Sequence, residues 1–557
     1  LLTQENLQAA YDMDAPGGLW QTLRLSGSLK QAHVATDDVA FVFPKLRSLN
    51  RIVNVSTSFT IRPQHIALNE IRLSDSGNDL SMVGNVLMQR EAGKVVTMKA
   101  QVADLHLEND LLQSVVSMFT PRTPAILARV GDVDFKGDVN YNKQTESEAE
   151  GLLSTAAGTL DMHVGWLGEE LEARVKSSDL NPSVLVEAKG VPHLLDFSIE
   201  GKGNVARHNP TLQFSSRINQ IALPEYTYRE IDLSGEWRNR KFTARVQSAD
   251  TNAKVQAEVG GHFDGKTFSA LALSADVESF RPHVLGLTKK YAGVQFASRL
   301  EAQMAAIDLR KPNLSVHVSD FAMLSPKKPY YLDNLDLEIR PVSAGSHMTM
   351  RSDFANIEAE GPLSLENVKA CARQLLMESM PSLADVLKAG KPSGDMRVSA
   401  RIFNTDFLPA LLDVPLTLHG TATVECALRT DSTRSTLSVY APAITYGTTR
   451  VDDISLYMRG EDGRIAMLAQ AETEIKGADM ELVLDATAQQ DELLASLDWD
   501  DSGRHRYRGA LSAMTKIAWQ ETEKHIQTTL IPTTISINDT VWNVASGQFA
   551  WNGDAMS

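Results

Sequence analysis

The chain has 557 residues, 43% of them apolar and 22% charged, with a formal net charge of −16. That composition belongs to a folded chain rather than a disordered one. The densest basic clusters are the turn-like "TKKY" and "PKKP", which argues against nucleic acid as a partner and against an anionic membrane as the docking surface for most of the chain.

No apolar run reaches the roughly 20 residues of a membrane helix. The opening "LLTQENLQAAYD" has no basic region followed by an apolar one, so it is not a signal peptide. It also lacks an initiator Met. The expectation is an excised or processed chain whose membrane anchor lies in a missing amino-terminal part.

Residues 1–130 read as a β-rich segment with an apolar helical insertion at 110–119, after Asp104-Leu105. Residues 131–361 read as an antiparallel β-groove. Its clearest series starts at Ile231 and Leu233. Phe242, Ala244 and Val246 follow, then Ala253, Val255, Ala257 and Val259, then Leu271, Leu273, Ala275 and Val277. Alternation at period two with short turns between the runs is the signature of a meander. Leu314, Val316 and Val318, and then Leu335, Leu337 and Ile339, continue it, with Ser315, His317, Asp336 and Glu338 on the opposite face. Short apolar insertions recur where strands end, at "NPSVLVE", "FRPHVLGL" and "LPALLDVPL".

The period changes to helical once. Residues 362–390 form a helical insertion or plug, with its helix in 364–389. Ser364 is its cap, Val368, Cys371, Ala372, Leu375 and Leu376 its apolar face, and Pro381 its break. Residues 391–557 return to strands. These include Met396–Ile402, one long row from Leu416 to Leu428, and a last strand at Val541–Val544 after the turn "IND". Cys371 and Cys426 are the only cysteines. Both fall on apolar faces, so two buried thiols are expected, with a disulfide as the alternative.

Catalytic and metal signatures do not emerge. There is no Walker loop, HExxH, CxxC or GxSxG. "DWDDSGRH" at 498–505 lacks the full calcium-loop spacing and reads as a solvated turn. The chain is expected to be no enzyme and to need neither cofactor nor metal.

A sheet written this way must bury its apolar face. It can close into barrels, pack on a second sheet, or curl lengthwise about itself. The continuous alternation favours the third: mostly β, one long antiparallel curled sheet (a β-taco, or open groove) with the short helical insertion. An apolar groove suits acyl chains. Its lining in 250–440 is expected to be Val255, Val259, Leu271, Leu273, Leu314, Val316, Leu335, Leu337, Val398, Leu418 and Val424.

Five segments carry a family resemblance: "YTYREIDLSGEWRNRKFTARV", "VESFRPHVLGLTKKYAG", "YYLDNLDLEIRP", "MRSDFANIEAEG" and "INDTVWNVASGQFAWNGD". In their order they resemble the TamB family in its Bacteroidetes-type form, part of the AsmA-like, bridge-like lipid-transfer proteins. The resemblance covers most of 130–557. It implies a periplasmic bridge anchored in the inner membrane, carrying glycerophospholipids by their acyl chains toward the outer membrane. It also implies a role in outer-membrane protein assembly through an Omp85-class barrel, at a contact outside this fragment. An assembly scaffold and a passive structural β-protein are the alternatives.

Overall fold

Strand residues alternate between a half-buried and an exposed side along most of the chain, and this fixes the backbone as extended. The computed structural model describes residues 8–10, 22–39, 49–91, 94–117, 124–204, 206, 210–264, 267–305, 313–383, 391–430, 434–475, 477–501, 506–520, 523–552 and 555–556. Within these the protein is mostly β, and every pairing whose register is described is antiparallel. The chain divides into two units, Leu1–His262 with Ser279–Ala292, and Phe263–Glu278 with Gly293–Ser557.

In the first unit, successive strands from Gln8–Ala10 to Ala253–Asp264 pair in chain order as an open meander. One rim carries the insertions. Thr36–Val39 follows the strand Arg24–Ala35, Asn109–Ser117 and Ala125–Arg129 follow Lys94–Leu107, and Pro182–Leu185 follows Glu170–Leu180. Those three strands run the same way, so their ends share a rim. Ala125–Arg129 packs against both Asn109–Ser117 and Pro182–Leu185. The expected insertion at 110–119 is thus a helix over Asn109–Ser117, with 118–119 outside the described residues. Hairpins on the other rim are tight, as at Asn239-Arg240, where both residues take the positive φ that a two-residue turn requires.

The second unit continues the pattern through Gln295–Ala305, Leu314–Leu324, Tyr330–Val342, Gly345–Ser352, Ala355–Gly361 and Met396–Ile402 to its last strands. One expectation fails here. The row from Leu416 to Leu428 is two strands, Leu416–His419 and Ala422–Leu428. Gly420 breaks it at φ +93°, and a methyl placed on it would stand 3.1 Å from the Pro442 ring. Pro442 has no amide proton to bond across the ladder. The two pieces pair with different stretches of the single strand Ser435–Tyr446.

The long helix spans Leu365–Ser379. Ser364 caps it by accepting from the Asn367 amide at 3.1 Å, and Pro381 follows its end. It lies on the apolar side of the sheet. Cys371 clusters with Met396 and Leu428, with Val398 and Cys426 packed alongside, and Leu375 fills the space over Gly460. Its buried stripe differs from the expected one. Asn367, Ala370 and Cys371 are buried, whereas Ala372 and Leu376 are exposed. Asn367 is drawn inward because its amide donates to the Gly394 carbonyl and accepts from the Ser393 amide and hydroxyl. That rotates the helix about its axis. The second helical piece expected up to 389 lies largely outside the described residues.

Replacing Asn367 with Ala removes the acceptor of the Ser393 amide and leaves the Gly394 carbonyl only the weak Cys371 thiol donor at 3.9 Å. The expected loss is about 1–3 kcal/mol, read from the shift of the urea midpoint.

Candidate functional site

The site is a face rather than a pocket. Directly opposed residues on paired strands share a face, so the register traces rows across the sheet. In the second unit one row runs Met304, Leu314, Ile339, Met348, Ala359, Val398, Cys426, Leu437, Met458, Met467, Ala486, Ala495, Ala513 and Leu530. The row beside it runs Ala302, Val316, Leu337, Met350, Ile357, Ala400, Val424, Val439, Leu456, Ala469, Leu484, Leu497 and Leu511. No polar residue interrupts either.

The first unit has its own row: Gly27, Phe59, Leu68, Val86, Ala100, Val139, Ala149, Val164, Ala173, Gly201, Phe214, Gly235, Ala244 and Val259. The opposite face of the second unit is polar over the corresponding stretch, in the row Glu301, His317, Asp336, Arg351, Asn356, Arg401 and Thr423.

Paired bulges keep the faces apart. Asp320, at φ +53° between Val318 and Phe321, lies where the pairing with Gln295–Ala305 shifts register by one residue. On the other side, the strand Tyr330–Val342 steps over Asp333 at the same place, so Val318 faces Leu335 and Phe321 faces Leu332. The ring contacts Phe296–Phe321 and Phe321–Tyr330, at 6.1 and 6.2 Å between centroids, confirm that the apolar side continues past the bulge.

The expected lining residues distribute as follows. Val259, Leu314, Val316, Leu337, Val398 and Val424 stand in the rows above. Leu335 is on the same face, opposite Val318, and Val255 lies on the face of Val259. Leu271 and Leu273 fall on the half-buried side of the strand Thr267–Phe280. Val398 is packed beside the helix cluster, and Leu418 is buried with Ala422 and Ala441. All except Leu418 are only half-buried. Leu497 and Leu511 are each 40% exposed although both stand in an apolar row. In a sandwich the inner faces of two sheets interdigitate and seal such positions; among the described residues nothing seals Leu497 and Leu511 in this way. Sequence reading named no lining before 250 or after 440. The same period-two signal marks those rows, but bulges shift its phase.

Across the sheet, the polar face is laced by cross-strand pairs. His317 Nδ1 lies 2.6 Å from Asp336, Arg245 Nε donates to Glu258 at 2.8 Å, and the Ser399 hydroxyl donates to Glu425 at 2.7 Å. The His317 ring, then the Asn334 amide, hold the Asp336 carboxyl below the usual carboxylate range. Clefts of about 520 Å³ open between long side chains here, one lined chiefly by Glu172, Arg174, Glu200, Lys202 and Arg245, another by Glu301, His317, Asp336 and Arg351. They are spaces within ladders of paired charges.

Among the described residues, no group of three or more His, Cys, Asp or Glu could hold a metal ion, and no helix is long and apolar enough to cross a membrane. Cys371 is buried and Cys426 half-buried, both as free thiols, and burial pushes both thiols up from their ordinary range. No protein-family model matches the chain, and no curated protein matches it in sequence. The fold and the site define an open, antiparallel β-groove protein whose sheet in each unit carries an apolar face, in the second unit partly covered by the helix Leu365–Ser379.

Asp395 ties the start of the strand Met396–Ile402 to residues beyond Ala422–Leu428. It accepts from the Thr430 amide and hydroxyl, each at 2.9 Å, and from Arg429 at 3.0 Å. The Thr430 amide is the largest cause that lowers its carboxyl below the usual range. A carboxyl lowered on folding contributes stability above the unfolded value near 4 and loses it as pH falls through the folded value. Between pH 6 and pH 3 the thermal midpoint of Asp395→Asn should therefore fall less than that of the wild type.

Proposed function

We propose that this protein is a hydrophobic conduit that carries glycerophospholipids with their acyl chains against the apolar face. The observation that carries the reading is the unbroken apolar rows, which keep large side chains such as Leu497 and Leu511 40% exposed. A soluble chain gains nothing from leaving so much apolar surface open to water. An extended apolar ligand would cover it without needing a shape-specific pocket.

The segments that resemble the TamB family support the same reading. With them come a periplasmic location, an inner-membrane anchor and an Omp85-class barrel partner. The reading assigns no catalytic residue, because acyl chains are held by contact alone.

The test places an acidic group in the row. Val424→Asp sets a carboxylate against the ligand. A carboxylate at a half-exposed position keeps access to water, so the expected loss of stability is no more than about 1 kcal/mol, whereas a sealed core would lose about 4 kcal/mol or more. Photocrosslinkers at Val316, Leu337 and Val424 should capture phospholipid in the wild type. With the first two retained, capture should drop in the Val424→Asp variant. Glu338→Lys, on the other face, should change stability by about 0.5 kcal/mol or less and leave capture unchanged. Wild-type positions that capture no lipid, or a Val424→Asp variant that unfolds, would remove the conduit.

A further inference from the structure

Two aromatic rings on the apolar face lie down where they could stand up. Phe214 is opposed by Gly235, and Trp499 by Gly509. A methyl built on Gly235 would stand 2.6 Å from Cε1 and 2.8 Å from Cζ of Phe214. One built on Gly509 would stand 2.7 Å from Cζ2 of Trp499 and 2.6 Å from Cγ2 of Ile535. Each ring therefore occupies the volume that its neighbour's side chain would fill. Rings in a sandwich core project into a gap of about 10 Å and interlock with the facing sheet. Here each ring lies against the glycine of the adjacent strand and stays only half-buried, a packing that glycine opposite an aromatic residue allows. The glycine is what permits it. In both cases the nearest atoms are side-chain atoms, although Gly235 also has the Thr243 carbonyl at 3.0 Å.

We propose that the Phe214–Gly235 pair in the first unit and the Trp499–Gly509 pair in the second each set the clearance over that unit's apolar face, keeping that face low enough for an acyl chain to lie along the rows. The inference rests on the conduit reading and adds the residues that determine what fits. An upright ring would be a post in the path. A flattened one is part of the floor, and it presents a face that a methylene chain can slide over at any register. Phe214 and Trp499 act here as positioning residues through their glycines.

The test uses the full chain with vesicles of phosphatidylglycerol carrying a photoreactive diazirine on one acyl chain. Gly235→Ala should lift the Phe214 ring and reduce labelling of the neighbouring rows by about fivefold or more. Adding Phe214→Leu to that variant should restore labelling, because no ring remains to be lifted. Gly509→Ala should likewise reduce labelling in the second unit; there Ile535, with Cγ2 at 2.6 Å and Cβ at 2.9 Å, crowds the same space as Trp499, so the restoring substitution is made only in the first pair. A purely structural role predicts that thermal midpoint and labelling move together. The proposal requires labelling to fall in a variant that keeps the wild-type midpoint.

Unchanged labelling in both glycine variants overturns it, as does loss that the second substitution fails to restore. Should either glycine variant unfold, Phe214→Leu and Trp499→Leu alone decide. Each should raise labelling by a lipid with a branched acyl chain, and no change in either sinks the proposal. Absence of labelling in the wild type itself would instead count against the conduit.

Discussion

Side chains alternate faces at every residue of a strand, so a slip of one position exchanges the two faces completely. Everything else in this protein depends on that exchange being prevented over a long succession of strands. Hydrogen bonding does not prevent it, since a slipped ladder bonds as well as a correct one. The paired bulges do. Asp320 is matched by a step past Asp333 on the partner strand, and Glu230 at φ +53° is matched by a step past Asn219. The short polar side chain of Asp320 suits its left-handed backbone, whereas Glu230 takes the same conformation without that local advantage. Each bulge also adds twist. The same residues therefore preserve the apolar face and twist the sheet locally.

Much of this was legible in the residues. The rows through Leu314, Leu337 and Val424 follow from alternation alone, and the helix from Ser364 to Pro381 follows from its cap, its period and its break. Other features depend on groups distant in sequence. The row from Leu416 looked continuous because Gly420 keeps the phase, and only Pro442 across the ladder shows why it must break. The helix was rotated by Asn367, whose partners Ser393 and Gly394 lie beyond a second segment. No local pattern marks an asparagine as buried. The ring–glycine pairs were equally hidden, because Phe214 and Gly235 become neighbours only once the register is known.

The helix Leu365–Ser379 shows how this apolar face behaves when something rests on it. Cys371 and Leu375 use it as a floor, and Val398 and Cys426 are covered as a result. The contact is made by small and flexible side chains without a deep socket. An apolar surface of this kind accepts a cylinder lying along it and asks little of that cylinder's chemistry.

Strands in either unit bond almost entirely to the strands just before and after them in the chain. The exceptions among the described strands are themselves local: Met396–Ile402 reaches past a short strand to Ala422–Leu428, Leu416–His419 past one to Ser435–Tyr446, Tyr507–Gln520 past one to Thr533–Ile537, and Glu523–Leu530 past two to Gly547–Asn552. Such a chain behaves as a nearly one-dimensional array, held by nearest-neighbour terms. Its loops close over short distances, so assembly can begin at any hairpin and spread in both directions. Damage stays local for the same reason. A strand that frays strips support from two neighbours and leaves the rest standing, and the free energy of opening should vary along the sheet instead of taking one value for the whole chain.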